Sequence, residues 1–140
     1  MFGFELDGEV VGTIRIVPMG YGLTLAEALL AEAALPVPDA AAANWEVGRL
    51  VLAPEFRSDV DALRHCLLLA LTYACRHSHV ERLHATCTHV LSRLYRRFGF
   101  AVDARDVPLR GTEKTYTLIS GTAAAVSAGL AQRAPAVPTH

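Results

Sequence analysis

Two strand-like runs separated by Asp7-Gly8 constrain the fold of this chain more than any other feature. Residues 2–6 alternate weakly between apolar and polar side chains, and residues 10–17 are rich in β-branched side chains. Asp-Gly is a preferred pair for the tight turn of an antiparallel hairpin, because its central positions need positive φ. The sequence therefore predicts a β-hairpin that ends before Pro18.

Helical and strand patterns alternate after this hairpin. Thr24 and Glu27 have the spacing of a capping box, which predicts the start of a helix at Thr24. A hairpin followed by strand–helix alternation predicts an α/β (mixed α+β) fold, in which one mixed sheet carries helices on both faces. We predict helices over 24–34, 58–78 and 89–98, one helical turn at 40–43, strands over 45–52, 82–86, from 100 to 102 and 114–120, and a polar connection over 103–112.

The chain length suits a single domain with one core, since the protein has 140 residues. We assign residues 1–121 to this domain. Residues 122–140 are rich in alanine and include two late prolines, so we expect a flexible tail or loose helix without chemistry.

Composition excludes several classes of protein. The net charge is −1, from 13 basic and 14 acidic residues, so no basic excess points to nucleic acid or an anionic membrane. No apolar run approaches the roughly 18 residues of a membrane span, and residues 1–9 have no base and are not a signal peptide. Three cysteines without a CxxC pair are typical of reduced thiols, which favours a cytoplasmic protein.

Three segments, in this order along the chain, resemble the GNAT acyltransferase superfamily. Residues 5–12 (ELDGEVVG) are similar to its opening hairpin, and residues 51–57 (VLAPEFR) to its donor-binding strand and loop. Residues 95–100 (YRRFGF) are similar to its late Y-x-x-x-G-F segment. The resemblance covers roughly residues 4–120. It implies a mostly antiparallel GNAT-like sheet flanked by helices.

A narrower branch of this superfamily fits two further strands. Residues 11–18 (VGTIRIVP) resemble the G-x-x-R-x-x-P strand of acyl-homoserine-lactone synthases. Residues 45–50 (WEVGRL) resemble their W-E-x-S-R-F strand, and the related E-x-x-R-L strand of long-chain N-acyl amino acid synthases. In the lactone-synthase pattern, Gly48 replaces a serine and Leu50 an aromatic residue. The resemblance implies transfer of a fatty acyl group to an amine, commonly from an acyl carrier protein.

The chain departs from these families at two places. They carry a helical segment and a strand before the hairpin, so we expect that the N-terminal part of the fold is missing. Enzymes that use coenzyme A have a glycine-rich turn before the long helix, where backbone N–H groups hold the pyrophosphate. This chain has no glycine there and places Asp59 and Asp61 beside the site, so we expect weak coenzyme A binding.

The resemblance implies two catalytic residues. Glu46 would act as the general base for the attacking amine, and Tyr95 would donate a proton to the leaving thiolate. The structural alternatives are an ion pair of Glu46 with a strand neighbour such as Arg15, and a Tyr95 ring that only packs on the sheet.

It also implies the residues that bind the two substrates. Main-chain groups of Leu50, Val51 and Leu52 would hold the pantetheine arm, and Arg57 would pair with its phosphate. Arg15 and Arg49 would anchor an acceptor carboxylate or a lactone-like ring oxygen. Surface ion pairs are the alternative for these two arginines.

Other reactive residues point to no cofactor. The six histidines are scattered without zinc-ligand spacing, so we expect neither a metal nor a permanently bound cofactor. Cys87, two residues from His89, is a weaker alternative as a nucleophile. Arg93, Arg96 and Arg97 form either a solvated face or a docking patch for an acidic carrier protein.

We therefore expect an acyltransferase that moves an acyl group from an acyl carrier protein or coenzyme A to a small-molecule amine, as N-acyl amino acid synthases do. The alternatives are an acetyl-coenzyme A-dependent N-acetyltransferase and a catalytically silent GNAT-like binding module. The first hairpin is able to pair with a second copy, so a homodimer stays open.

Overall fold

The computed structural model describes residues 2–6, 9–52 and 60–131, which form six strands and four α-helices. The strands are β1 Phe2–Leu6, β2 Glu9–Pro18, β3 Asn44–Leu52, β4 Arg82–Cys87, β5 Ala101–Pro108 and β6 Thr115–Thr122. The helices are α1 Leu25–Glu32, α2 Val60–His77, α3 His89–Arg96 and α4 Ala123–Ala131, with a 3₁₀ turn at Ala40–Ala42. The predicted turn at Asp7-Gly8 and the start of the predicted helix 58–78 lie outside the described residues.

All six strands belong to one sheet in the order β1-β2-β3-β4-β6-β5. β3 and β4 pair in parallel, and every other neighbouring pair is antiparallel. The chain crosses from β3 to its parallel neighbour through α2, because parallel strands need a long connection. The predicted mixed, mostly antiparallel sheet is confirmed.

Helices cover both faces of this sheet, as predicted. The larger core cluster lies on the face covered by α2, α3 and α4, which we call the α2 face; it includes Ile14, Leu71, Leu83, Ile119 and Val126. The smaller cluster lies on the opposite face, the α1 face; it consists of Met19, Ala26, Leu29, Leu30, Val107 and Leu118. Because successive strand residues point to opposite faces, single strands supply both clusters.

The start of α1 follows the predicted cap, with one difference. The Thr24 hydroxyl oxygen accepts a hydrogen bond from the Glu27 N–H at 3.2 Å. The Glu27 carboxylate accepts from the N–H groups of Gly20 at 3.0 Å and Gly22 at 2.7 Å, and from the Thr24 hydroxyl at 3.0 Å. In a standard capping box it would reach the N–H of the cap residue itself. Glu27 therefore ties the preceding loop to α1.

The predicted polar connection over 103–112 is wrong in its first half, because β5 continues to Pro108. β5 is the last strand of the described sheet, and its polar residues Asp103 and Arg105 are exposed. Asp106 has a φ of 54°, and the pairing with β6 shifts between Ala104 and Val107. A polar outer face and an irregular register conceal the alternation that identifies a strand.

From residue 122 the sequence left a flexible tail or a loose helix as alternatives, and the structure has a helix there that packs on the core. Residues 123–131 form α4, in which the side chains of Val126 and Leu130 are each only 1% exposed. A Cβ atom at Gly129 would lie 2.5 Å from the Phe98 carbonyl carbon, so α4 packs closely against the chain after α3. An alanine-rich helix allows this close approach because its side chains are small. Residues 132–140 lie outside the described residues.

Candidate active site

β3 and β4 stay paired over only three residues each. The parallel register joins Asn44 to Arg82, Trp45 to Leu83 and Glu46 to His84. β3 continues to Leu52 along its other edge, where it pairs with β2. Within the described residues, the β4-facing edge of β3 therefore has no strand partner after Glu46.

A cleft of about 310 Å³ opens where the two strands separate. We call it the splay cleft. It is lined by the middle of β3, the end of β4, one side of α3 with its cap residue, and one residue of β6. Its residues are Val47, Gly48, Ala85, Thr86, Cys87, Thr88, Leu91, Tyr95 and Tyr116. Val47 and Gly48 of this lining lie two to three residues before Leu50, the first residue of the main-chain segment predicted to bind the donor.

Tyr95 borders this cleft from α3, with its ring held in place by two aromatic neighbours. The ring meets Phe98 and Phe100 edge-on, with centroid separations of 6.4 and 5.7 Å. Burial, reinforced by the nearby Cys87 thiol, raises the pKa of Tyr95 to about 12. The hydroxyl is therefore protonated at neutral pH and can donate a proton or a hydrogen bond.

Cys87 lies beside Tyr95 but is poorly suited to nucleophilic attack. Its side chain is buried, and its thiol donates a long hydrogen bond to the Thr117 carbonyl oxygen at 3.8 Å. Burial raises the pKa of Cys87 to about 11. The thiolate is the nucleophilic form, so this environment disfavours the weaker alternative of the sequence analysis.

Glu46 connects β3 to the start of α1. Its Oε2 accepts a hydrogen bond from the Ala26 N–H at 2.7 Å, in the first turn of the helix. Its Oε1 lies 3.7 Å from the position that a Cβ atom would occupy at Gly48, which lines the splay cleft. The N-terminal end of a helix favours a negative charge, so this position favours an ionised carboxylate. Glu46 therefore holds the start of α1 and lies beside the cleft-lining Gly48 on the same face of β3.

The structure describes only some of the predicted substrate-binding residues in full. Arg15 lies on β2 opposite Gly48, so it shares the α1 face with Glu46. Arg49, Leu50, Val51 and Leu52 belong to β3; their side chains, and Arg57 as a whole, lie outside the described residues. Val51 and Leu52 pair with Thr13 and Gly12 of β2, and along the opposite edge no described strand pairs with them.

The sequence analysis missed a second cleft, of about 410 Å³, which lies next to the splay cleft on the α1 face. We call it the His84 cleft. Strands supply its polar residues, and α1 with the following loop supplies its apolar residues. They are Asn44, Arg82, His84, Asp103 and Ser120, with Leu30, Leu35, Pro36 and Pro38. Alternation along 82–86 predicts that Arg82, His84 and Thr86 share a face, but only the register of the sheet places them beside Asn44 and Glu46.

His84 is held in one orientation within this cleft. Its Nε2 lies 2.6 Å from the Asn44 Oδ1, and the Asn44 Nδ2 donates to the Ala42 carbonyl oxygen at 3.0 Å. Because that donation leaves Oδ1 as the acceptor, His84 Nε2 carries the hydrogen. Burial, aided by Arg82, lowers the pKa of His84, while Asp103 opposes the shift. His84 is therefore neutral at physiological pH.

The described residues provide neither a cluster of metal ligands nor a membrane-spanning helix. Residues 2–6, 9–52 and 60–131 contain no group of three or more His, Cys, Asp or Glu side chains that could hold a metal ion. Over the same part of the chain, no helix is both long enough and apolar enough to cross a membrane.

Sequence comparison relates the chain to one family. Residues 1–122 match the family model described as N-acyl amino acid synthase FeeM. Among curated proteins, none matches this sequence.

Solved structures with the same fold include two acyl-homoserine-lactone synthases. LasI is 18% identical with a TM-score of 0.68, and the match covers 92% of this chain and 70% of LasI. MesI, described as a coenzyme A-dependent acyl-homoserine lactone synthase, is 19% identical with a TM-score of 0.65, covering 90% of this chain and 64% of MesI. A GNAT-family acetyltransferase from Streptococcus pneumoniae is 14% identical with a TM-score of 0.56, covering 84% and 62%. This chain thus has a GNAT-like fold and spans about two thirds of the length of these proteins.

Proposed function

This chain belongs to the FeeM family of N-acyl amino acid synthases, and from that premise we propose that it transfers an acyl group from a thioester to a small-molecule amine. The observation that carries the proposal is the splay cleft. It joins an unpaired strand edge on β3 to a protonated tyrosine on α3. An extended pantetheine arm is able to add to such an edge through main-chain hydrogen bonds, as a peptide strand would.

The donor arm would lie along Leu50, Val51 and Leu52, with its phosphate toward Arg57. This course carries the thioester toward Val47 and Gly48, where β3 and β4 separate. The two candidate donors of the acyl group are an acyl carrier protein and coenzyme A. We favour the carrier protein, because residues 53–59 before α2 contain no glycine, and Asp59 together with Asp61 in the first turn of α2 adds negative charge there.

Glu46 and Tyr95 would divide the proton transfers. The amine nitrogen attacks the thioester carbonyl carbon, a C–N bond forms and the C–S bond breaks. Glu46 accepts the proton that the nitrogen loses, and Tyr95 gives a proton to the departing thiolate. Proton return from Glu46 to Tyr95 through solvent restores both groups, so the products are an amide and a thiol.

The exposed arginines of α3 suit the preferred donor. Arg93, Arg96 and Arg97 are exposed, and Leu91 and Tyr95 of the same helix line the splay cleft. An acidic carrier protein docked on these arginines would have its pantetheine arm near the cleft. Arg15 and Arg49 remain candidates for binding the acceptor.

We also propose that the protein is cytoplasmic and forms a homodimer. Cys66, Cys75 and Cys87 are free thiols, which suits the reducing conditions of the cytoplasm. β1 is the first strand of the described sheet, so a second copy is able to pair along its edge as a homodimer.

Two linked measurements test the activity. Calorimetry compares the binding of a long-chain acyl carrier protein with that of acetyl-coenzyme A, and mass spectrometry follows acyl transfer to a mixture of the proteinogenic amino acids. Carrier binding together with an N-acyl amino acid product supports the proposal. Binding and transfer with acetyl-coenzyme A alone would identify an acetyltransferase. Neither binding nor transfer would leave a non-catalytic binding module and overturn the proposal.

A further inference from the structure

The splay cleft and the His84 cleft are neighbours along the same strands. On β3, the residues Asn44, Glu46 and Gly48 follow one another on the α1 face, and on β4 the residues His84 and Thr86 do the same. Gly48 and Thr86 line the splay cleft, while Asn44 and His84 line the His84 cleft. The rung formed by Glu46 and His84 therefore separates the two clefts.

The His84 ring presents a lone pair to its cleft. Its Nε2 is engaged with Asn44 Oδ1. Among the described residues, no buried side-chain nitrogen or oxygen lacks a hydrogen-bond partner. Nδ1 makes no hydrogen bond to a described residue, so it must be accessible to solvent, and the cavity that His84 lines is this cleft. In the neutral ring Nδ1 is an acceptor.

Charges of opposite sign stand on two strands around this lone pair. The Arg82 guanidinium donates to the Ser120 hydroxyl oxygen at 3.1 Å, which fixes it in place while other N–H donors remain for a ligand. Asp103 lines the same cleft from β5. A small molecule with one carboxylate and one ammonium group complements this pair, and a planar guanidinium is well suited to a carboxylate.

The apolar wall of the cleft determines which side chain the bound molecule can have, in addition to its carboxylate and ammonium groups. Leu30, Leu35, Pro36 and Pro38 close the cleft from α1 and its following loop. This wall carries no charge, so it would favour an apolar side chain and penalise an ionised one.

We propose that the His84 cleft binds the acyl acceptor as an apolar α-amino acid, with its carboxylate on Arg82 and its amine hydrogen-bonded to His84 Nδ1 and facing Asp103. This inference rests on the proposed function for the reaction, but it assigns the binding site independently, with Arg82 in place of Arg15 and Arg49 as the partner of the acceptor carboxylate. An amine held at His84 lies one strand position from Glu46, at the base of the splay where the thioester would arrive. His84 is a positioning residue in this arrangement, and Glu46 keeps the role of base.

Binding at this site depends on the charge of His84. Its surroundings contain Arg82 on the same strand, Asp103 on β5 and Glu46 on β3. Protonation would remove the Nδ1 acceptor and place a positive charge beside the ammonium group. Acceptor affinity should therefore fall at acid pH, with a midpoint below the ordinary histidine value, because burial lowers the pKa of His84.

The first test uses the full chain and needs no acyl donor. L-phenylalanine and L-leucine are titrated while the histidine ring signals are followed by NMR, with His84 assigned from the variant His84→Gln. We expect saturable shifts of the His84 signals and none for His65, which is exposed on α2. Phenethylamine, which lacks the carboxylate, should bind at least about ten-fold more weakly. Unmoved His84 signals at saturating amino acid concentrations would overturn the assignment.

The second test compares arginine variants. Arg82→Met keeps the aliphatic stem and removes the charge, while Arg76→Met removes an exposed charge at the end of α2 as a matched control. We expect Arg82→Met to weaken L-phenylalanine binding about ten-fold or more and to equalise it with phenethylamine, with Arg76→Met unchanged. Equal affinities for Arg82→Met and the unaltered chain would refute the site. Amino acid binding at His84 without any acyl transfer would instead overturn the proposed function alone.

Discussion

Glu46 and His84 face each other across the last hydrogen-bonded rung of β3 and β4, at the point where the two strands separate. Glu46 reaches the start of α1 through the Ala26 N–H, and His84 is locked to Asn44. A carboxylate and an imidazole are thus both oriented by the surrounding fold before any substrate binds. Such orientation is what an acyl transfer between two separately bound molecules requires.

Replacing the Glu46 carboxylate separates its chemical role from its structural one. Glu46→Gln keeps an oxygen that can accept from the Ala26 N–H, so we expect near-unchanged stability and a kcat lower by about 10²-fold or more. Glu46→Ala also removes the hydrogen bond and should lower the free energy of unfolding by about 1–3 kcal/mol. Urea unfolding and steady-state kinetics measure the two effects. Full activity in Glu46→Gln would show that Glu46 serves only to hold α1.

Tyr95→Phe tests the proton donor without disturbing its packing. The ring keeps its edge contacts with Phe98 and Phe100, so thermal stability should change little. We expect kcat to fall on the order of 10²-fold, because the departing thiolate loses its proton source. Tyr21→Phe, at a residue that is 62% exposed, is the control and should retain full activity. Equal rates in both variants would contradict the assignment.

The buried, neutral His84 should make the protein less stable in mild acid. Its pKa is lowered from the ordinary 6.5 in the folded state, so the unfolded chain binds the proton more readily. As the pH falls below the pKa of this histidine in the unfolded chain, the free energy of unfolding therefore decreases until His84 is also protonated in the folded protein. Above the pKa of the unfolded chain, the contribution of neutral His84 to stability is fully present. Urea unfolding at about pH 5.5 and about pH 7.5 should show a smaller loss for His84→Gln than for the unaltered chain. The control His65→Gln should lose as much stability on acidification as the unaltered chain. If His84→Gln also loses that much, His84 is not the cause of the acid destabilisation.

Leu130→Ala tests whether α4 belongs to the core. Leu130 is 1% exposed, and Arg64 of α2 donates to its carbonyl oxygen at 2.6 Å. Removing the buried side chain should cost about 2–5 kcal/mol of unfolding free energy. Leu23→Ala, at a position that is 84% exposed, should change it by less than about 0.5 kcal/mol. Calorimetric or denaturant unfolding measures the stability of both variants. Equal stabilities of Leu130→Ala and Leu23→Ala would show that α4 does not contribute to the core and that the flexible-tail prediction was right.

Local signals in the sequence predicted most of the elements. The cap at Thr24, the apolar spacing of α2 and the glycine after α3 act within a few residues of the chain, so they can be read without knowing the fold. These signals missed most of β5, and for α4 they left a loose helix and a flexible tail as alternatives. An edge strand with a polar outer face lacks clear alternation, and a helix of small residues carries little apolar pattern of its own.

By itself, the sequence determined the fold class, the family and the residues on each strand face, because residue types, spacing and alternation are properties of the chain. It placed Glu46 and Tyr95 as candidates, but it did not place Asn44, His84 and Arg82 beside one another. Only the tertiary structure decided that, because the register between two parallel strands and the rung where they separate depend on packing against α1 and α2. In the His84 cleft, His84 is hydrogen-bonded to Asn44, which lies 40 positions away, a separation at which no local pattern specifies a neighbour.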